Sequence, residues 1–304
     1  MDVNVPLGAV LVGLDGSGAG SAALDWAAAE ARRRHWPLHL MHVLDESQRV
    51  WPTYALSQRA TAPVVSDALS WLAAANDGLD ITWSQVIGDP ATVLATAARV
   101  ARLVVVESRG RGAAADAFLG STTTHLIAQT HCPVAVLRAD TAIPPRGAPV
   151  VVGLEYGRPY VGALETAFEQ ASSRHVDLII VHTWRAEAPT MTGEADLRDT
   201  SMAEAHHCET DLLRRSIAEV ARSHPYLRIT THAVPDGAVE ALCRYAAEAS
   251  LLVVGSRGHR KSGGAVLGSA NQNLIRLAPC PVLVVRDGRK PLFSSSRQTA
   301  AGAS

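Results

Sequence analysis

The sequence predicts an α/β fold built twice: two tandem sandwich domains, each a five-stranded parallel sheet with helices on both faces. Three observations carry this reading. Strand-like and helix-like segments alternate along the chain, the order a parallel sheet requires. The strand candidates include continuous apolar runs, the pattern of strands buried on both faces. The whole order then occurs a second time, at a separation the size of one ordinary domain.

In the first half, residues 9–14 form an apolar run and a first strand. Residues 19–34 are alanine-rich, with helical spacing at Ala23, Ala27 and Ala31. Arg32, Arg33 and Arg34 fall in that helix's last turn, where cations complement the dipole. Residues 37–43 read as a second strand, and a longer, less regular stretch leads to a helix around 64–75. Residues 81–87 alternate as a third strand. Residues 90–98 are a helix with Pro90 at its start, where a missing N–H costs nothing. A fourth strand at 103–106, a helix at 121–130 and a fifth strand at 134–137 complete the half. The second half repeats this order.

The repeat is explicit. Residues 103–138 and 251–286 align without a gap at an offset of 148, about half the positions being identical. Earlier in each half the offset is 140: Val12, Gly13, Leu14 and Asp15 match Val152, Gly153, Leu154 and Glu155. Ala31, Arg34, His35 and His42 likewise match Ala171, Arg174, His175 and His182. The second half therefore carries eight extra residues between its second and third strands. The expected domains are 1–145 and 146–290, joined by a short stiff linker at 141–147. The Ser- and Ala-rich tail, 291–304, reads as disordered.

The chain has 304 residues, 47% hydrophobic and 19% charged, enough apolar material for two real cores. A net charge of −1 leaves no electrostatic footprint for duplex nucleic acid or an anionic membrane. No run approaches the roughly 20 apolar residues of a membrane span. The start has no basic region of a secretory signal. Cys132, Cys208, Cys243 and Cys280 are scattered, with no CxxC pair, so free thiols and a reducing, cytoplasmic setting are expected.

The chemistry lies in one glycine spacing. The fourth strand of the second half and the loop after it carry Gly255, Ser256, Arg257 and Gly258; nine residues follow, then Gly268 and Ser269 open a helix. Glycines let backbone approach a ligand closely. A helix start presents unpaired N–H groups and a positive dipole end, which suit a phosphate chain. His259, Arg260 and Lys261 in the loop add positive charge, and the Ser269 hydroxyl can cap the helix or donate to phosphate. The first half keeps Gly110, Gly120 and Ser121, but Glu107 stands where Gly255 stands. The same residues also suit a plain turn with a serine cap.

This loop, the Val-Gly-Leu-Asp first strand, the His-Val end of the second strand and the Cys-Pro-Val last strand together resemble the universal stress protein family, in its tandem form, to about residue 290. The resemblance implies strand order 3-2-1-4-5 in each domain and, in members that keep the loop, ATP between the ends of strands one and four. Mg²⁺ would arrive with the nucleotide, held mainly by phosphate oxygens and water. In the first half it implies Gly13 and Asp15 at the end of strand one, the latter near the nucleoside, and the Val43 backbone at the adenine. Val106, Gly110, Gly120, Ser121 and Thr122 would line ribose and phosphates. The second-half set is Gly153, Glu155, Thr183, Val254, Gly255, Gly258, Gly268, Ser269 and Ala270. It also implies pairing through the last strands, expected here within the chain, leaving other surfaces for a homodimer.

The two sites are expected to be unequal. A carboxylate at Glu107 repels a triphosphate by about 1 kcal/mol at 4 Å in bulk-like screening. Glu155 reaches one methylene further than an aspartate. The expected function is an ATP-binding stress-response regulator or sensor, with an unknown regulatory protein partner. The alternatives are a slow ATP-hydrolysing enzyme, for which no positioned base is evident, and a nucleotide-free interaction module. His42 and His182 read mainly as structural, Cys132 and Cys280 as buried structural thiols. His206, His207 and Cys208 are adjacent and splay around a helix, so no metal site is expected.

Overall fold

The computed structural model describes residues 4–16, 22–45, 54–75, 78–108, 119–139, 141, 144–154, 161–184, 195–256 and 267–286. The tail expected to be disordered, 291–304, lies outside these residues. The first half contains β1 (Val10–Leu14), α1 (Ala22–Arg34), β2 (Leu38–Asp45), α2 (Tyr54–Ala75), β3 (Ile81–Gly88), α3 (Pro90–Ala97), β4 (Leu103–Glu107), α4 (Ser121–Gln129) and β5 (Val134–Leu137). The second contains β6 (Val150–Leu154), α5 (Val161–Arg174), β7 (Leu178–Thr183), α6 (Ala195–Arg222), β8 (Ile229–Val234), α7 (Ala238–Ala246), β9 (Leu251–Gly255), α8 (Ser269–Leu277) and β10 (Val282–Val285).

All ten of these strands belong to one sheet, in order β3-β2-β1-β4-β5-β10-β9-β6-β7-β8. Each half is the expected parallel 3-2-1-4-5 arrangement, and the halves are mirror-ordered about the seam. The seam is the antiparallel pair β5–β10, with Ala135 opposite Leu283. Pairing two last strands removes two exposed edges that would otherwise template association. It also reverses direction: the five strands of one half run opposite to those of the other.

The sheet separates two apolar layers. On one face Leu94, Leu126, Leu242 and Leu274 of α3, α4, α7 and α8 pack with Val104, Val134, Val254 and Val282. On the other, Leu24, Leu72, Phe168 and Leu213 of α1, α2, α5 and α6 pack with Val12, Val105, Val152 and Leu283. Both layers run unbroken across the seam. Each fully buried Leu or Val contributes about 1.5–3 kcal/mol.

Local signals explain the element ends. Asp89 caps α3 by accepting from Thr92 N at 2.8 Å, with Pro90 in the first turn. After α1, His35 takes φ +54°, and His175 after α5 does the same. His35 N donates to Arg32 O and Trp36 N to Ala31 O, the paired bonds of a Schellman end. His175 and Val176 repeat them with Ser172 and Ala171.

One feature differs from the sequence reading and a second locates what it expected. Helix α2 begins at Tyr54, ten residues before the expected start, with Pro63 inside it. One proline removes one helix hydrogen bond and need not end the helix. In the second half α6 has 28 residues against 22 in α2, so most of the eight-residue surplus is extra helix.

Candidate functional site

In each half β1 or β6 lies beside β4 or β9, and the helix after the fourth strand starts at their carboxyl ends. In open parallel sheets this point of reversal is where ligands bind. The N-cap of α4 is Gly120 and that of α8 is Gly268, each without a side-chain cap hydrogen bond. Ser121 and Ser269 are therefore the first helical residues, not the caps, and both are exposed. The helix starts present backbone donors with a positive dipole end.

A matched bond fixes each helix start to its strand end. Thr123 Oγ1 donates to Glu107 O at 3.3 Å, and Asn271 Nδ2 donates to Gly255 O at 2.6 Å. These positions correspond at the offset of 148. Ser108 N and Ser256 N donate to Leu137 O and Val285 O, each at 2.7 Å, extending the fourth strands along the fifth. Gly120 N closes the first loop on Ser108 O at 3.3 Å. The ring of strand end, loop end and helix start is thus held by hydrogen bonds at both of its sides.

The first strands end at the same rim. A Cβ on Gly13 would lie 3.1 Å from Leu94 Cδ1 and 3.2 Å from Val106 Cγ1. A Cβ on Gly153 would lie 2.7 Å from Leu242 Cδ1. Both glycines thus sit in close helix–sheet contact, tighter at Gly153, a reason for glycine that the spacing alone did not reveal. Asp15 follows β1 and is half-buried, with Oδ2 out of contact with solvent. Val43 is half-buried in β2, Thr183 ends β7, and Val106 and Val254 are buried in β4 and β9. Thr122 and Ala270 are the second helical residues of α4 and α8. Glu155, Gly110 and Gly258 lie outside the described residues, as do His259, Arg260 and Lys261.

The matched histidines act beneath this rim. His42 Nδ1 donates to Leu14 O at 2.8 Å, and His182 Nδ1 to Leu154 O at 3.2 Å, joining the ends of the first and second strands. His182 Nε2 also meets Glu209 Oε2 of α6 at 3.2 Å. His39, wholly buried, bonds Thr82 Oγ1 at 2.8 Å and Ser84 Oγ at 2.9 Å, and burial lowers its pKa. Cys132 and Cys280 are buried and not in a disulfide; burial pushes the Cys280 thiol up to about 12, which keeps it protonated and unreactive. No helix among the described residues is long and apolar enough to cross a membrane.

Sequence reasoning missed the Thr123 and Asn271 ties. Their signal was a polar residue three places after the helix-opening glycine in both repeats.

Two such halves, each with a glycine-capped helix at the switch point, define a tandem α/β sandwich protein. The universal stress protein family matches residues 7–138 and 149–286, and the chain belongs to that family. A universal stress protein of Mycobacterium tuberculosis (strain ATCC 25618 / H37Rv) is 31% identical over 293 residues, covering 91% of this chain and 96% of its own. A second from the same strain is 32% identical over 296 residues, with the same coverages. Among solved structures, a universal stress protein from Archaeoglobus fulgidus DSM 4304 covers 91% of this chain and 96% of its own, with TM-score 0.67 and 19% identity.

Proposed function

We propose that the chain is an ATP-binding regulator of a stress response, with one nucleotide site at the strand ends of each half. The observation that carries this reading is the uncapped start of α4 and of α8, each tied by one side chain to the neighbouring strand end. Such a cradle offers backbone donors to an anionic chain without needing net positive charge. In the first half Gly13, Asp15, Val43, Val106, Gly110, Gly120, Ser121 and Thr122 form the set. In the second it is Gly153, Glu155, Thr183, Val254, Gly255, Gly258, Gly268, Ser269 and Ala270. Mg²⁺ fits as a companion of the phosphates, held by them and by water.

The sites differ in our reading. Glu107 places a carboxylate where the second half has Gly255, so the second site holds phosphates more tightly. The halves are the two domains, 1–145 and 146–290, the chain acts in the cytoplasm, and its free surfaces serve a homodimer or a regulatory protein.

The test is mass spectrometry of small molecules released from freshly isolated protein, followed by calorimetric titration with ATP. Released adenine nucleotide and saturable binding support the reading. A blank extract together with no heat at millimolar ATP overturns it and leaves an interaction module. Glu107→Gly raising the affinity of the weaker site supports the inequality; no change in either affinity overturns that part.

A further inference from the structure

Where α1 meets α5 across the seam, one buried carboxylate serves arginines of both halves. Glu30 accepts from Arg33 Nη1, from Arg34 Nε at 2.6 Å and from Arg174 Nη2 at 2.9 Å. Gln170 Nε2 donates to Glu30 Oε1 at 3.1 Å, and Arg174 Nε donates to Gln170 Oε1 at 3.1 Å. Arg34 Nη2 reaches Ser173 Oγ at 3.1 Å. Glu30 is wholly buried, and the side chains of Arg34 and Arg174 are 6% and 11% exposed.

The repeat offset of 140 makes this cluster informative. Glu30 and Gln170 are the same position of the two halves, as are Arg34 and Arg174, and Arg33 and Ser173. The seam brings these equivalent positions together, and there it is asymmetric: a carboxylate meets an amide. The rest of the seam is nearly symmetric. β5 reads Val-Ala-Val-Leu and β10 reads Val-Leu-Val-Val. Such strands pair with each other as well as with a copy of themselves.

We propose that Glu30 is a pairing determinant, which makes the second half the partner of the α1 face in preference to a second copy of either half. In a pair of first halves a second Glu30 carboxylate would stand where Gln170 now donates, so two acceptors would meet at hydrogen-bond distance, a repulsive contact even with Arg34 of each copy beside them. In a pair of second halves, Gln170 would face Gln170, and each Arg174 would lose the carboxylate it now meets. A buried charge deprived of its partner is strongly destabilising. Only the unlike pair sets an amide donor opposite the Glu30 carboxylate and also leaves Arg174 a carboxylate to meet. The partner of this surface is thus defined chemically, as an α5 face carrying an amide and an arginine one turn apart.

Full-length Glu30→Gln and the exchanged double variant Glu30→Gln/Gln170→Glu test this, by thermal unfolding and by sedimentation over a range of concentrations. Glu30→Gln is expected to lower the unfolding midpoint by about 5–10 °C and to self-associate more than the unchanged chain. The double variant returns the carboxylate to the other side of the same pair, one turn from Arg174. It is expected to recover most of the midpoint and the original mass. A double variant no better than Glu30→Gln would overturn the proposal, because Glu30 would then serve only Arg33 and Arg34 of its own helix. So would a Glu30→Gln chain indistinguishable from the original in both readings. If Glu30→Gln does not fold, the double variant decides alone: a folded chain of original mass supports the proposal and an unfolded one overturns it.

Discussion

Arg286 Nη1 donates to the carbonyl oxygen of Ala128 at 3.0 Å, so the residue that follows β10 closes the last turn of a helix in the other half. Arg138, its counterpart after β5, donates to Arg276 O at 2.8 Å, in the last turn of α8. Each half therefore supplies the cation that the carboxyl end of the other half's helix favours. Arg286→Ala is expected to cost about 1–2 kcal/mol, as is Arg138→Ala, measured by urea denaturation. Loss of stability from only one of the two would show that the caps are not equivalent.

The first-strand glycines give a second prediction. Gly153→Ala should cost about 1–2 kcal/mol, because its methyl would meet Leu242 at a distance that requires the leucine to move. Gly13→Ala should cost less, its contacts with Leu94 and Val106 being 3.1 and 3.2 Å. Combining Gly153→Ala with Leu242→Ala should abolish the glycine's own penalty. Additive losses in that pair would place the cost elsewhere than in this contact.

Acid should weaken the chain in a defined window. Burial by itself raises the pKa of Glu30, but the charges of Arg174, Arg33 and Arg34 outweigh it and hold the carboxyl at about 2, from an ordinary value of 4.5. The resulting stability, on the order of 3 kcal/mol, is complete above about pH 4.5. It is lost as pH falls from there towards 2. Burial keeps Arg174 below its usual value, at about 10, with Glu30 opposing the shift, so it stays a cation throughout. His39, its pKa lowered by burial, adds an earlier loss that begins below its ordinary 6.5. Urea midpoints followed from pH 7 to 3 should decline, and Glu30→Gln should flatten the lower part of that decline.

Ser269→Asp separates binding from folding. A carboxylate at the first position of α8 complements the helix dipole and should stabilise the chain by about 0.5 kcal/mol. The same charge at the proposed phosphate cradle should weaken ATP binding at the second site at least tenfold, by calorimetry. A variant that is more stable and binds ATP unchanged would move the phosphates away from α8.

Much of this architecture was legible because it is written locally and twice. The apolar runs of β1, β4, β6 and β9 and the alanine spacing of α1 identify their elements directly. The gapless repeat then fixes the correspondence of the helix-opening glycines. What was hidden depends on contacts distant in the chain. Arg32, Arg33 and Arg34 read as an ordinary basic last turn, yet Arg33 and Arg34 converge on Glu30 together with Arg174, 140 positions or more away. The glycine of Val-Gly-Leu-Asp enters the site through the family resemblance alone, while the side chains it makes room for are Leu94 and Val106. Helix α2 starts earlier than the sequence suggests because a helix can tolerate one proline when its flanking turns hold.

The reversal of strand direction at the β5–β10 seam sets how the molecule can be addressed from outside. The carboxyl ends of one half's strands open on one rim of the sheet, and those of the other half open on the opposite rim. The proposed sites of the two halves therefore face opposite rims, and a ligand seated at one leaves the other's rim open.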